Sequence, residues 1–347
     1  MTFRMPPEWA PHERTWMAWP GPNTTFSSAA ELAESRAAWA AVARAVRRFE
    51  PVTMVHGPGQ ADSARELLGP DIDLVERELD DAWMRDIGPT FVTDGTQLAA
   101  VDWVFNGWGA QGWASWEHDA KIASFVADLA GVPVHASPLV NEGGGIHVDG
   151  EGTVLLTETV QLGPERNRGL SKAEVESEIH AKLGTKKAIW LPRGLTADYP
   201  PHGYGTLGHV DIVAAFARPG VIVAHTQPDP GHPDHEPCQE MVAFLREQTD
   251  AKGRRIEVIE VPAPTRLRDE DGGWADYSYI NHYLCNGGVV LCSFDDPRDE
   301  LAAGIFRRLF PERTVTLVDA RTVFAGGGGI HCITQQQPRV GRPSGIG

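Results

Sequence analysis

The chain has little cysteine, a shortage of positive charge and no long apolar run, and each shortage argues against a class of protein. Four cysteines occur in 347 residues, at Cys238, Cys285, Cys292 and Cys332, and no two form a Cys-x-x-Cys pair. That spacing indicates neither a disulfide-stapled secreted scaffold nor a zinc ribbon. Lysine and arginine total 31 against 47 aspartates and glutamates, a formal charge of −16. Such a surface repels nucleic acid and anionic lipid and draws small cations toward any cleft it lines. No window approaches the roughly 18 uninterrupted apolar residues of a membrane span, and the opening Met1-Thr2-Phe3-Arg4-Met5-Pro6-Pro7-Glu8 has no signal-peptide core. The expectation is a cytoplasmic protein with reduced thiols and neither nucleic-acid nor membrane partners, and with a homo-oligomer left open. No low-complexity tether divides the chain, so one domain over residues 1–338 is expected, with a flexible C-terminal tail at 339–347.

What is present is repetition. Gly-Gly-Gly-Ile-His runs from Gly143 to His147 and again from Gly327 to His331, and the second copy leads into Cys332. Gly208-His209-Val210-Asp211 echoes Ile146-His147-Val148-Asp149. The gaps are 62 (209−147) and 122 (331−209), and one further unit back (147−86 = 61) reaches Asp86. Polar groups at one phase of a repeat are what a circular array of similar units places around a common centre. Asp86, His147, His209 and His331 are therefore expected to share one pocket. Five units of about 61 residues would occupy roughly 305.

Helix and strand signals alternate. Ser28-Ala29-Ala30-Glu31 is a capping box opening a helix to about Phe49, and Ser171-x-x-Glu174 opens another to Leu183. Further helices are expected over 117–129, 236–248 and 299–310. Strands are expected at 52–55, 132–135, 188–191, 256–261 and 315–318, and a hairpin around Asp149-Gly150-Glu151-Gly152. The class is α/β.

The chemistry follows from residue type. Cys285 and Cys292 sit in apolar runs and read as core, whereas Cys332 has a Gly-rich approach and a neighbouring His, the setting of a nucleophile wherever a cation lowers its pKa. His209 is a candidate acid/base that would share a strand face with Asp211, and Glu142 could accept a hydrogen bond from its imidazole. Asp86 and Asp211 would repel a thiolate unless a cation lay among them. A guanidinium, gripped through paired hydrogen bonds, suits two planar carboxylates best. Asp86 could instead pair with Arg85, Asp211 could tie down a loop, and the His-Val-Asp runs could hold a divalent metal.

Trp83-Met84-Arg85-Asp86, Asn141-Glu142-Gly143-Gly144, His147 through Thr153, Gly208 through Asp211 and Gly326 through Gln336 together resemble the agmatine deiminase family, which includes bacterial-type peptidyl-arginine deiminases. The resemblance runs from Pro6 to Pro338. It implies a five-bladed αβ-propeller (pentein) and a hydrolase that converts a guanidine to a ureido group with release of ammonia, agmatine to N-carbamoylputrescine first. It assigns Cys332 as nucleophile, His209 as acid/base, Glu142 as its orienting partner, Asp86 and Asp211 as the guanidinium clamp, and Trp83 to the pocket wall. No metal or organic cofactor is implied. The alternatives are a deiminase of another small guanidine or of peptidyl arginine, an amidinotransferase, and a non-catalytic cation- or metal-binding protein. Two positions depart from the family pattern: Gly329, where many members carry Asn, and Gly205, where agmatine-acting members commonly carry an acid. Asp198 and Asp80 are the carboxylates that would replace the latter.

Overall fold

In the computed structural model, which describes residues 2–201, 204–268 and 272–341, the expected alternation resolves into five small sheets. In chain order, β1 (His12–Ala18), β2 (Val52–His56) and β3 (Asp73–Glu76) lie parallel, joined by the crossover helices α1 (Ala29–Arg47) and α2 (Ala61–Leu68). The next blade pairs β4 (Thr90–Thr93) antiparallel with β5 (Leu98–Val104), and α3 (Ile122–Ala130) then returns the chain to β6 (Val134–Val140), parallel to β5. The same hairpin, helix and parallel strand recur three times. They are β7 (His147–Val148), β8 (Thr153–Thr157), α4 (Lys172–Leu183) and β9 (Lys187–Leu191); then β10 (Ala214–Arg218), β11 (Val221–Thr226), α5 (His235–Glu247) and β12 (Glu257–Pro262); then β13 (Tyr283–Cys285), β14 (Gly288–Ser293), α6 (Asp299–Leu309) and β15 (Thr314–Asp319). Finally β16 (Gln335–Pro338) pairs antiparallel with β1, Trp16 opposite Gln335. The last strand thus completes the first blade with the pattern of the other four, and the five-bladed ring closes.

Local sequence explains the boundaries. Both predicted capping boxes form: Ser28 Oγ accepts from Glu31 N at 3.1 Å while Glu31 accepts from Ser28 N at 2.9 Å, and Ser171 with Glu174 repeats the arrangement. The helix expected from 117 begins instead as a 3-10 turn over Asp119–Lys121. The Asp119 carboxylate is taken by the backbone N–H groups of Asp80 and Asp81, each at 2.9 Å, and is unavailable as a cap. The strands β5, β8, β11 and β14 begin at 98, 153, 221 and 288, so successive blades are 55, 68 and 67 residues apart. The even spacing near 61 belongs to the residues Asp86, His147, His209 and His331 and not to the turns, which begin at Met84, Gly143 and Val210.

The flexible-tail expectation is corrected at its start, because Arg339 N donates to Pro11 O at 2.8 Å and Val340 packs on the core. Residues 342–347 of that tail lie outside the described residues. Among the described residues no helix is long and apolar enough to cross a membrane.

Trp39, fully buried on α1, meets Phe26 and Trp83 edge-on with ring centroids 5.6 and 5.4 Å away. It joins the core of the first blade to the wall of the pocket described below. Trp39→Ala is expected to cost about 3–5 kcal/mol of stability through the cavity it leaves, measurable as a drop in the denaturant midpoint, and to free the Trp83 ring.

Candidate active site

The turns leading into the blades meet at the centre of the ring. Arg85 N donates to Cys332 O at 3.0 Å, Gly144 N to Asp86 Oδ1 at 3.0 Å, and His331 N to Asn281 Oδ1 at 3.0 Å. These bonds link the segments before β4, β7, β13 and β16. The 3-10 turn Val210–Ile212 before β10 completes the circle, since Asn281 Nδ2 donates to Asp211 O at 3.4 Å. Approach this close needs glycine at one point: a Cβ on Gly144 would stand 2.4 Å from His209 Nδ1 and 3.0 Å from Asp86 Oδ1.

On one side of this centre lie five of the six predicted side chains that could act on a ligand, with Trp83 as the sixth in the wall. Cys332 Sγ is 3.7 Å from Asp211 Oδ2 and accepts from Asn281 Nδ2 at 3.3 Å. His209 contacts Glu142 through Nε2 at 3.2 Å, and its Nδ1, which has no hydrogen-bond partner, lies 3.8 Å from Asp86 Oδ1. Asp211 Oδ1 is likewise buried without a partner. Trp83, Asp86, Trp108, Trp113, Tyr204 and Cys332 line the pocket.

Burial sets the electrostatics. It opposes charge on His209, but the carboxylates of Asp86, Glu142 and Asp211 outweigh it and push the imidazole up to about 9. Burial also pushes Glu142 upward, yet Arg166 and His209 overcome it and hold that carboxyl below its ordinary range. Asp86 is raised by burial, which His209 only partly offsets. The Cys332 thiol is held well above its usual range by burial and by Asp211 and Asp86. The pocket without a ligand therefore favours an imidazolium and a protonated thiol.

The family of Porphyromonas-type peptidyl-arginine deiminases matches residues 4–338. The chain belongs to this family. An agmatine deiminase of Pseudomonas aeruginosa is 41% identical over 359 residues, covering 97% of this chain and 95% of its own. A Streptomyces coelicolor protein provisionally named an agmatine deiminase is 80% identical over 340 residues, covering 98% of this chain and 100% of its own. The solved structure of the Enterococcus faecalis agmatine deiminase superposes with a TM-score of 0.91 at 33% identity, covering 98% of this chain and 96% of that one. The propeller is thus the pentein fold of these deiminases.

Within this family member the sequence reading needs four corrections. His147 does not enter the pocket. Its His-Val-Asp run follows the turn Gly143–Gly145 and starts β7, whereas the run at His209 precedes and enters its turn, so equal sequence phase gives opposite directions. His331 also lies on the far side, between Asp211 and Glu8. His209 and Asp211 are joined by a 3-10 turn, not by one strand face. The carboxylates named to replace an acid at Gly205 are both occupied: Asp198 accepts from Thr206 N, Thr206 Oγ1 and Gly208 N, and Asp80 from the N–H groups of His118 and Asp119. A Cβ on Gly205 would lie 2.4 Å from Asp198 O, and one on Gly329 would lie 2.5 Å from Asn281 Oδ1, so both departures are dictated by close packing in this chain.

The alternatives left open for single residues also resolve. Arg85 turns away from Asp86, donating to Gln336 Oε1 at 2.8 Å. Asp149 organises its hairpin, accepting from Glu151 N, Thr153 N and Thr153 Oγ1, and is not free to bind a metal with His147. Glu8, His147 and His331 do present ligand atoms within 4.8 Å of one another. Both His331 nitrogens are already bonded to carboxylates, however, and the Arg85 guanidinium stands 3.7 Å from Glu8, so a dication there would have to displace the cations already paired with these carboxylates.

Sequence reasoning missed Trp108, whose Nε1 donates to Asp86 Oδ2 at 2.9 Å; Arg166, whose Nε donates to both Glu142 oxygens at 3.1 Å; and Asn281 beside the sulfur. Arg166 and Asn281 stand in no glycine-flanked run, whereas Trp108 lies between Gly107 and Gly109, a signal that could have found it. Gly144→Ala is expected to displace His209 by enough to lower turnover about 100-fold, the usual effect of misplacing a reacting group by an ångström, with folding verified by circular dichroism.

Proposed function

We propose that the protein is an agmatine deiminase, hydrolysing the guanidine of agmatine to the ureido group of N-carbamoylputrescine with release of ammonia. The observation that carries this reading is the grouping of a sulfur 3.7 Å from Asp211, a buried Asp211 oxygen with no partner, and an unpartnered His209 nitrogen beside Asp86. A flat cation with several N–H donors satisfies the Asp211 and Asp86 carboxylates, while His209, as an imidazolium, keeps its Nδ1 proton for the leaving group. Trp113 and Tyr204, packed edge to face at 5.0 Å, leave the tail of the substrate an aromatic wall suited to an ammonium.

The mechanism follows from charge. Entry of the guanidinium offsets Asp86 and Asp211, which lets Cys332 release its proton to solvent, to be regained from solvent once the ureido product has left. The thiolate adds to the central carbon and forms a C–S bond, giving a neutral tetrahedral adduct. His209, protonated at neutral pH, passes its proton to one amino group, the C–N bond breaks and ammonia leaves. The remaining S-amidino cation is attacked by water while neutral His209 takes a proton. Collapse expels the Cys332 thiolate and the ureido product, and the last proton leaves with ammonia as ammonium. Glu142, fixed by Arg166, orients His209 throughout. In this scheme residues 1–338 act as one cytoplasmic catalytic unit on a small cationic substrate, without added metal or organic cofactor.

Purified protein is expected to release ammonia from agmatine after chelator treatment, faster than from arginine or arginyl peptides. No release from any guanidine would defeat the reading, and transfer of the amidino group to an added amine would favour an amidinotransferase. Cys332→Ala should lower turnover by at least about 10⁴-fold while agmatine still binds, as measured calorimetrically. Because His209 in the free enzyme is raised to about 9 and must carry a proton to expel ammonia, kcat/KM is expected to hold toward neutral pH and to fall as pH rises through that range.

A further inference from the structure

We propose that Glu8 and His331 are positioning residues for the substrate: a buried Glu8–His331–Asp211 chain keeps Asp211 ionised and turned toward the guanidinium. The inference rests on the function proposed above. His331 Nδ1 is 2.6 Å from Asp211 Oδ2, and its Nε2 is 2.8 Å from Glu8 Oε2. An ionised carboxylate only accepts hydrogen bonds, so an imidazole held between two of them donates from both nitrogens and is an imidazolium. Its other neighbours cannot take over that charge. Burial lowers His147 to about 3 and His282 to about 4, leaving both neutral, and Arg85 is directed to Glu8 and Gln336.

The need for a cation at that point comes from the other side. Asp211 is buried with Asp86 and the Cys332 sulfur, which disfavour its negative charge, while His331 in direct contact, and His209 and Arg85 at longer range, favour it. Burial pushes the Asp211 carboxyl upward, and the bond and charge of His331 outweigh it, holding the group below its usual range. Anchoring Oδ2 on His331 leaves Oδ1 without a partner, the oxygen available to a guanidinium N–H. Glu8 comes from the segment before β1 and is itself fixed by Leu284 N, which donates to Oε1 at 2.7 Å. The first few residues of the chain thereby reach the substrate site through one imidazole.

The test compares wild type, His331→Gln and Glu8→Gln in ammonia release from agmatine across pH, with thermal unfolding of each as the folding control. Removing the imidazolium, or the carboxylate that sustains it, raises the Asp211 pKa. Asp211 must be ionised to bind the cation, so the acid limb of kcat/KM moves to higher pH, by about one unit. KM measured at pH values within the acid limb rises by up to about tenfold, while kcat at saturation changes less than about threefold, because the bound guanidinium itself ionises Asp211. A fall in kcat with KM and the acid limb unchanged, or no change at all, overturns the proposal. Should His331→Gln fail to fold, Glu8→Gln, which keeps an oxygen for Leu284 N, decides the matter. A substrate-independent arm separates this idea from the agmatine reading: the nitrogen-15 shifts of His331, assigned by their loss in His331→Gln, should report two protonated nitrogens at about pH 8 in wild type. A neutral ring there overturns the positioning chain whether or not agmatine is turned over. An imidazolium in a protein that ignores agmatine supports the chain and counts against agmatine as the substrate.

Discussion

Charge balance inside a closed ring governs this protein. Asp86, Asp211, Glu142 and Glu8 are buried at the centre, and with all four ionised they are matched by His209, Arg166, His331 and Arg85. Each carboxylate has a cation in contact or nearby, as low-dielectric burial demands. That balance leaves no positive charge for a fifth anion. The Cys332 sulfur, in the same enclosure, therefore stays a thiol until a further cation arrives. In the proposed reaction a guanidinium supplies that cation and is also the electrophile, so that binding and activation would be one electrostatic event.

The propeller makes such a centre buildable. A single helix or sheet presents side chains along a line or a face, whereas five blades each deliver one short turn to the same point. The hydrogen bonds between Arg85 and Cys332, Gly144 and Asp86, and His331 and Asn281 tie neighbouring turns backbone to backbone or backbone to side chain. Pairing of β16 with β1 carries the final turn, which holds Cys332, back beside the first blade. The two sides of the centre then differ in role. One holds the unpartnered His209 Nδ1 and Asp211 Oδ1; the other holds the hydrogen bonds of His331 to Asp211 and Glu8, with Arg85 Nη2 in an ion pair 3.7 Å from Glu8.

Much of this was legible in the residues. Capping boxes at Ser28 and Ser171 locate two helices because the reciprocal bonds are local in sequence. Glycine-flanked His and Cys positions locate the turns, because tight packing of backbone against backbone excludes side chains there. Asp86, Glu142, His209, Asp211 and Cys332 are brought together as their motifs imply. The same signal misplaced His147, since a motif records residue identity but not where a turn ends and a strand begins. Arg166 and Asn281 carry no comparable mark, and Trp108, though set between two glycines, falls outside the repeat phase; each acts on a partner 22, 24 or 51 residues away.

Sequence alone determined the residue types at the centre, the repeat that gathers them, and the negative surface that favours a cationic ligand. Those properties depend on composition and on spacing along the chain. Tertiary structure decided which side of the ring each side chain faces, which carboxylates are already spent on backbone donors, and which cation stands against which anion. These depend on distances across the closed ring, and standing one residue before its turn or four residues after the start of it is enough to send one histidine beside Asp86 and another to the far side.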